Sequence, residues 1–168
     1  PFAAVVEPEH ASSELVPLLL GLCQDDQDSV RLLAIHGAVA LAKLVPGDVA
    51  KDKLMPKLLA LASDKSWRVR WSVAQAFKAV VSGPELAKLN ASQLLDAFIT
   101  LLKDAEAEVR AAASCNVTAV AKAYPVDTVV AQLVGPVTAV SRDPSEYVRE
   151  ALASNVMGLA PVVGKDKA

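Results

Sequence analysis

Four times along the chain an Asp is followed, after four residues, by Val and then Arg: Asp25 with Val30-Arg31, Asp64 with Val69-Arg70, Asp104 with Val109-Arg110, and Asp143 with Val148-Arg149. Successive Asp positions differ by 39, 40 and 39 residues, so one structural unit has been copied along the chain. A period near 40 with helical patterning marks a stack of helix pairs. In such a stack each unit buries its apolar face only against its neighbours.

The positions 5, 9, 13 and 16 residues after each Asp carry the helical signal. They read Val30, Ala34, Ala38, Leu41; Val69, Val73, Phe77, Val80; Val109, Ala113, Val117, Val120; and Val148, Leu152, Val156, Leu159. Steps of four, four and three keep one face of a helix apolar. Upstream of each Asp lies a shorter apolar run, over 15–22, 54–61, 94–102 and 133–140. Pro17, Pro56 and Pro136 stand near the starts of three of these runs, where a first-turn proline costs least. Pro136 comes one place late, with Gly135 at the aligned position, which predicts a kink or a shifted helix start. The reading is all-α, with about four antiparallel hairpins.

Joints at Pro46-Gly47-Asp48, Ser82-Gly83-Pro84 and Tyr124-Pro125 separate the units. The resulting repeats run over about 13–46, 52–82, 91–124 and 128–163, in a single array over 1–168. None of the joints reads as a domain linker, because one such unit cannot fold alone. Asp143-Pro144-Ser145-Glu146 has the form of a capping box, and Asp28 or Ser29, and Ser66, are alternative caps for other second helices.

Composition narrows the function. The chain is 53% hydrophobic but only 4% aromatic, which suits close packing of Ala, Val and Leu between helices. With 17 basic and 19 acidic residues there is no bulk field for nucleic acid or an anionic bilayer. Cys23 and Cys115 fall in separate repeats without a redox or metal spacing and read as reduced, buried thiols. No long apolar run and no signal-like start appears, so a cytosolic or nuclear location is the default. His10 and His36 lie outside any metal or nucleophile–base spacing, and no phosphate loop or nucleophile elbow is present. No cofactor, metal or catalytic residue is assigned, and the chain does not read as an enzyme.

With an Asp at each turn, Val-Arg beyond it and a first-helix Pro, the hairpins resemble the HEAT repeat. The runs Asp64-Lys65-Ser66-Trp67-Arg68-Val69-Arg70, Glu106-Ala107-Glu108-Val109-Arg110-Ala111-Ala112-Ala113-Ser114, and Ala151-Leu152-Ala153-Ser154 with Met157-Gly158-Leu159 are similar to the scaffolding (A) subunit of type 2A serine/threonine protein phosphatase. The resemblance extends from about Ser13 to Asp166, and it departs at His36, Trp71 and the Gly135-Pro136 pair. It implies a right-handed α-α superhelix and a central section of a longer solenoid, with residues 1 to 10 as the tail of a preceding helix and Gly164-Lys165-Asp166 as the approach to another repeat.

Each Arg of the repeated pattern can reach a neighbouring repeat's Asp. Asp25, Arg31, Asp64, Arg70, Asp104, Arg110, Asp143 and Arg149 would then form a charge-assisted ladder that sets the repeat-to-repeat rotation, which the resemblance also implies. Lys65-Ser66-Trp67-Arg68 is the most informative turn. Trp67 precedes the apolar stripe by two residues and reads either as an interface anchor beside Arg68 or as a satellite core against the adjacent turn. The resemblance implies that the turns form a ridge receiving the interchangeable regulatory (B-type) subunits of the phosphatase, through Ser66, Trp67 and Arg68, extended by Asp26, Gln27, Asp28 and Glu106, with Tyr147 a weaker candidate. It further implies that the catalytic subunit docks on repeats outside this section. A nuclear-transport receptor or another HEAT adaptor is the alternative.

Overall fold

The computed structural model describes residues 7–82 and 91–163, and among these every regular element is helical. The elements are α1 (8–22), α2 (Asp28–Leu41), α3 (47–61), α4 (Trp67–Val81), α5 (Ala91–Leu102), α6 (Ala107–Ser114), α7 (Val117–Ala123), α8 (126–140), α9 (Glu146–Val156) and a last turn over 157–163. They pair as antiparallel hairpins, and the second helices α2, α4, α6 and α9 stack on one another in sequence order. Residues 1 to 6, Gly83-Pro84 of one expected joint and Gly164-Lys165-Asp166 lie outside the described residues.

The apolar stripes are the core. Fourteen of their sixteen residues are buried, while Val30 and Val156 are half-buried. Phe77 on α4 meets Phe98 on α5 with ring centroids 5.0 Å apart and tilted by 49°, a favourable aromatic geometry. Larger aliphatic residues such as Ile35, Leu54, Leu101 and Leu133 are buried alongside small ones such as Ala74, Ala111, Ala113 and Ser114, whose size lets helix backbones approach closely.

The first helices start earlier than their apolar runs. Pro8 opens α1, and Pro46 and Pro125 occupy the residue just before α3 and α8. Prolines read from sequence as joints are therefore helix initiators. Pro17, Pro56 and Pro136 lie instead in helix interiors, each behind a π-helical turn in which Val16, Met55 and Val134 donate to the carbonyls of Ala11, Ala50 and Val129. The wider turn accommodates a ring that has no N–H and would clash with a regular carbonyl. Helix α8 keeps the start and the π turn of the first two repeats, so the displaced Pro136 moves only the proline.

Two other expectations are corrected. No capping box forms at 143–146: Ser145 takes the extended N-cap conformation, α9 begins at Glu146, and no side chain caps it. Cys23 is buried but Cys115 is exposed. Cys115 lies 11 residues after its Asp, as do the exposed His36, Gln75 and Ser154, and that position points away from the stripe.

The second helix of the third repeat breaks at Cys115-Asn116, between α6 and α7. Buried Asn116 donates from Nδ2 to the carbonyls of Ala74, at 2.9 Å, and Ala112, at 3.0 Å, tying the break to α4. Farther along, Thr118 Oγ1 donates to the Asn155 carbonyl at 2.6 Å, and a Cβ built on Gly158 would stand 2.5 Å from Thr118 Cγ2. The short, β-branched Thr cannot swing clear. Gly158→Ala is expected to cost about 1–3 kcal/mol, read as a lower urea midpoint by circular dichroism; an unchanged midpoint would show that the turn relaxes freely.

Candidate functional site

Each turn between paired helices is built by its Asp. The backbone N–H of the residue two places on donates to Asp Oδ1: Gln27 to Asp25 and Ser66 to Asp64 at 2.8 Å, Glu106 to Asp104 at 3.0 Å, and Ser145 to Asp143 at 2.9 Å. A short polar side chain thereby closes the turn locally, as Asp commonly does.

Arg then joins one turn to the next. Nε and Nη2 of Arg31 both donate to the Asp64 carboxylate at 2.8 Å, while Nη1 donates back to the carbonyls of Asp25 and Asp26. Arg70 repeats this with Asp104, at 2.6 and 2.9 Å, and with the carbonyls of Asp64 and Lys65. So does Arg110, with Asp143 at 2.6 and 2.9 Å and with the carbonyls of Asp104 and Ala105. One guanidinium holds its own turn and grips the following one, a use of the planar fork that a lysine ammonium cannot reproduce. Arg149 donates to the Asp143 and Pro144 carbonyls. Among the described residues no carboxylate pairs with Arg149 and no guanidinium with Asp25.

The sequence contained signs of only part of this network. Ser66 Oγ donates to Asp28 Oδ2 at 2.8 Å, adding a second link between the first two turns, and Ser72 Oγ donates to the Leu32 carbonyl at 3.1 Å. Ser145 stands at the place of Ser66 in its own repeat, but no other repeat carries a serine at the place of Ser72, and neither bond to a particular partner follows from spacing. Tyr124 is buried and donates to the Ala91 carbonyl at 2.8 Å; burial, with nearby Asp96, pushes its hydroxyl up to about 12.

The edge so formed presents a mixed surface. Asp26, Gln27, Lys65, Arg68 and Glu106 are exposed, and Asp28 and Ser66 are half-buried against each other. Trp67 is the first residue of α4 and is 38% exposed, with the Arg68 guanidinium carbon 5.9 Å from its ring centroid. It neither protrudes freely nor is sealed into a satellite core. Tyr147 is 60% exposed. No group of three or more His, Cys, Asp or Glu among the described residues could hold a metal ion, and no described helix is long and apolar enough to cross a membrane.

Antiparallel helix pairs whose turns are tied in this way define a HEAT-repeat solenoid. Residues 88–164 match the family described as PPP2R1A-like HEAT repeat, and residues 54–83 match the HEAT repeat. Over 90 residues, 52% of this chain, it is 41% identical to the A-type regulatory subunit of protein phosphatase PP2A from Schizosaccharomyces pombe, covering 15% of that protein. Over 83 residues, 47% of the chain, it is 40% identical to the beta isoform of the human A-type 65 kDa regulatory subunit of serine/threonine-protein phosphatase 2A, covering 14% of it. The crystal structure of Cex1p superposes with a TM-score of 0.82 over 98% of this chain and 32% of that one at 16% identity, a likeness of fold. The chain is a HEAT-repeat protein homologous, over part of its length, to the A-type regulatory subunit of PP2A.

Two predictions concern the ladder. Arg70→Lys removes the bidentate grip on Asp104 and is expected to cost about 2 kcal/mol, between an exposed pair and a buried one, measured as a lower urea midpoint with helicity retained. The carboxyls of the three gripped Asp residues are held below the ordinary value of 3.8. For Asp64 and Asp104 burial is the largest influence and pushes upward, but the bonds from Arg31 or Arg70, the bond from the turn N–H and the nearby positive charges together outweigh it; for Asp143 the Arg110 bond is the largest. A lowered folded value means that this stability is complete above the unfolded carboxyl value and is lost as pH falls through the folded one. Urea midpoints are therefore expected to hold steady above about pH 5 and to fall below pH 4, with a shallower acid dependence in Asp104→Asn; equal acid slopes would remove the ladder from the explanation.

Proposed function

We propose that this chain is a non-catalytic scaffold that presents its turn edge to a regulatory (B-type) subunit of protein phosphatase 2A and helps assemble the holoenzyme. The observation that carries this reading is the ladder. Successive turns are held in fixed relation along one edge, with Lys65, Trp67, Arg68 and Glu106 left accessible upon it. A rigid row of adjacent turns suits recognition of another protein's surface. The names of the relatives, both A-type regulatory subunits, support the same assignment.

Within this reading Trp67 and Arg68 are the anchors, Lys65 and Glu106 flank them, and Asp26 and Gln27 extend the edge. Asp28 and Ser66 act mainly by joining two turns. The scaffold contributes orientation and effective concentration to a reaction performed elsewhere. Contact with the catalytic subunit belongs to repeats other than these, and a cytoplasmic location, extending to the nucleus, suits such a scaffold.

Trp67→Ala is expected to weaken the binding of a purified B-type partner about tenfold or more, as for a central aromatic anchor, with the far-ultraviolet circular dichroism unchanged. Binding measured by calorimetry that stays at the unsubstituted affinity would return Trp67 to a structural role. Isolated catalytic subunit is expected to bind this chain weakly in the same assay, and tight binding would contradict the placement.

A further inference from the structure

Beside the turn edge, on the stacked second helices, lies an open groove of about 380 Å³ lined by Leu32, Trp67, Arg68, Trp71, Glu108 and Tyr147. All four repeats contribute to it. Leu32 and Trp71 both stand seven residues after their repeat's Asp, while Arg68, Glu108 and Tyr147 all stand four after theirs, so the lining follows the repeat although its residue types do not. Only because the hairpins stack do these side chains share one depression.

Its chemistry is specific. Three aromatic rings and a leucine make an apolar floor, from which Trp67 and Tyr147 remain substantially exposed. Arg68 and Glu108, of opposite charge, stand at its rim on successive repeats, both exposed, and among the described residues neither forms an ion pair. This differs from the arginines and aspartates of the ladder, which are already bonded to one another. Aromatic residues and Arg gathered around an apolar depression are the composition of an interface hot spot.

We propose that this groove is a docking site for a protein segment that inserts a bulky apolar side chain between Trp67, Trp71 and Tyr147, placing an acidic residue against Arg68 and a basic residue against Glu108. The opposed rim charges orient the segment along the stack, with its acidic end over the second repeat and its basic end over the third. Segments carrying two like charges meet one attraction and one repulsion. The site shares Trp67 and Arg68 with the scaffold reading but does not depend on the identity of the regulatory partner.

Trp67 and Trp71 are the chain's only tryptophans, so intrinsic tryptophan emission reports on the groove alone. The probes are three capped 12-residue peptides with a Phe-Leu centre in an Ala/Gln background, flanked by Glu and Lys, by two Lys, or by two Glu. The Glu/Lys peptide is expected to give a saturable emission change with an affinity about fivefold above either like-charge peptide, the scale of two exposed ion pairs. Tyr147→Ala, an exposed substitution that keeps both tryptophans, is expected to weaken it about tenfold. Leu33→Ala, a substitution at an exposed leucine outside the groove, should leave it unchanged. No saturable change, equal affinity for all three peptides, or full affinity in Tyr147→Ala would each overturn the proposal. An emission shift that depends on protein concentration without peptide, matched by dimers in sedimentation, would assign the groove to a second copy of the chain and overturn it likewise.

Discussion

Everything about the arrangement of these hairpins passes through the two-pronged grip of an arginine on the next repeat's aspartate. A guanidinium has five N–H donors in a fixed plane. Here two go to a carboxylate one repeat away and Nη1 reaches two carbonyls of its own turn, with distances repeating closely across three successive joints. The aspartate is constrained in the same way, closing its own turn with one oxygen while accepting the arginine. Neither partner can shift without disturbing both turns. Apolar stripes alone would let neighbouring hairpins slide or rotate, since dispersion and water exclusion are weakly directional; the ladder selects one rotation.

Packing sets a different condition. A stacked repeat keeps no private core, so each helix must meet neighbours on several sides, and alanine at places such as Ala74, Ala111 and Ala113 lets backbones come close. Close approach also exposes helix carbonyls to side chains from a neighbouring repeat. Ser72, Asn116 and Thr118 each use this, donating to Leu32, Ala74 and Asn155. These bonds differ from joint to joint, unlike the ladder. They give individual interfaces their own character within a common frame, and in the third repeat Asn116 satisfies its amide where the helix breaks.

The groove and the turn edge are consequences of stacking. No single hairpin has the apolar depression formed by Leu32, Trp71 and Tyr147, and no local sequence window contains it. Trp67 stands where the two surfaces meet, stacked under Arg68 and partly exposed. That position leaves the ring partly covered and partly accessible, neither fully protruding nor sealed.

What could be read without coordinates was whatever recurs. The 39- to 40-residue period, the four apolar stripes and the Asp and Arg of each turn are periodic, and periodicity reports the local helix and the neighbour-to-neighbour contact directly. Prolines misled for a local reason: a π turn can carry one within a helix, so Pro17 and Pro56 did not mark starts, and Pro46 and Pro125 did. Cys115 is exposed because its phase, 11 residues after Asp104, turns it away from the buried stripe whatever its hydrophobic character. The chain by itself determined that it folds as repeated helix hairpins and which faces they bury, since those follow from spacing along one helix. Only the tertiary structure decided which unlike residues, from Leu32 to Tyr147, meet in one groove and which serine or asparagine bridges which joint, because those depend on the rotation between hairpins, a quantity that no single repeat contains.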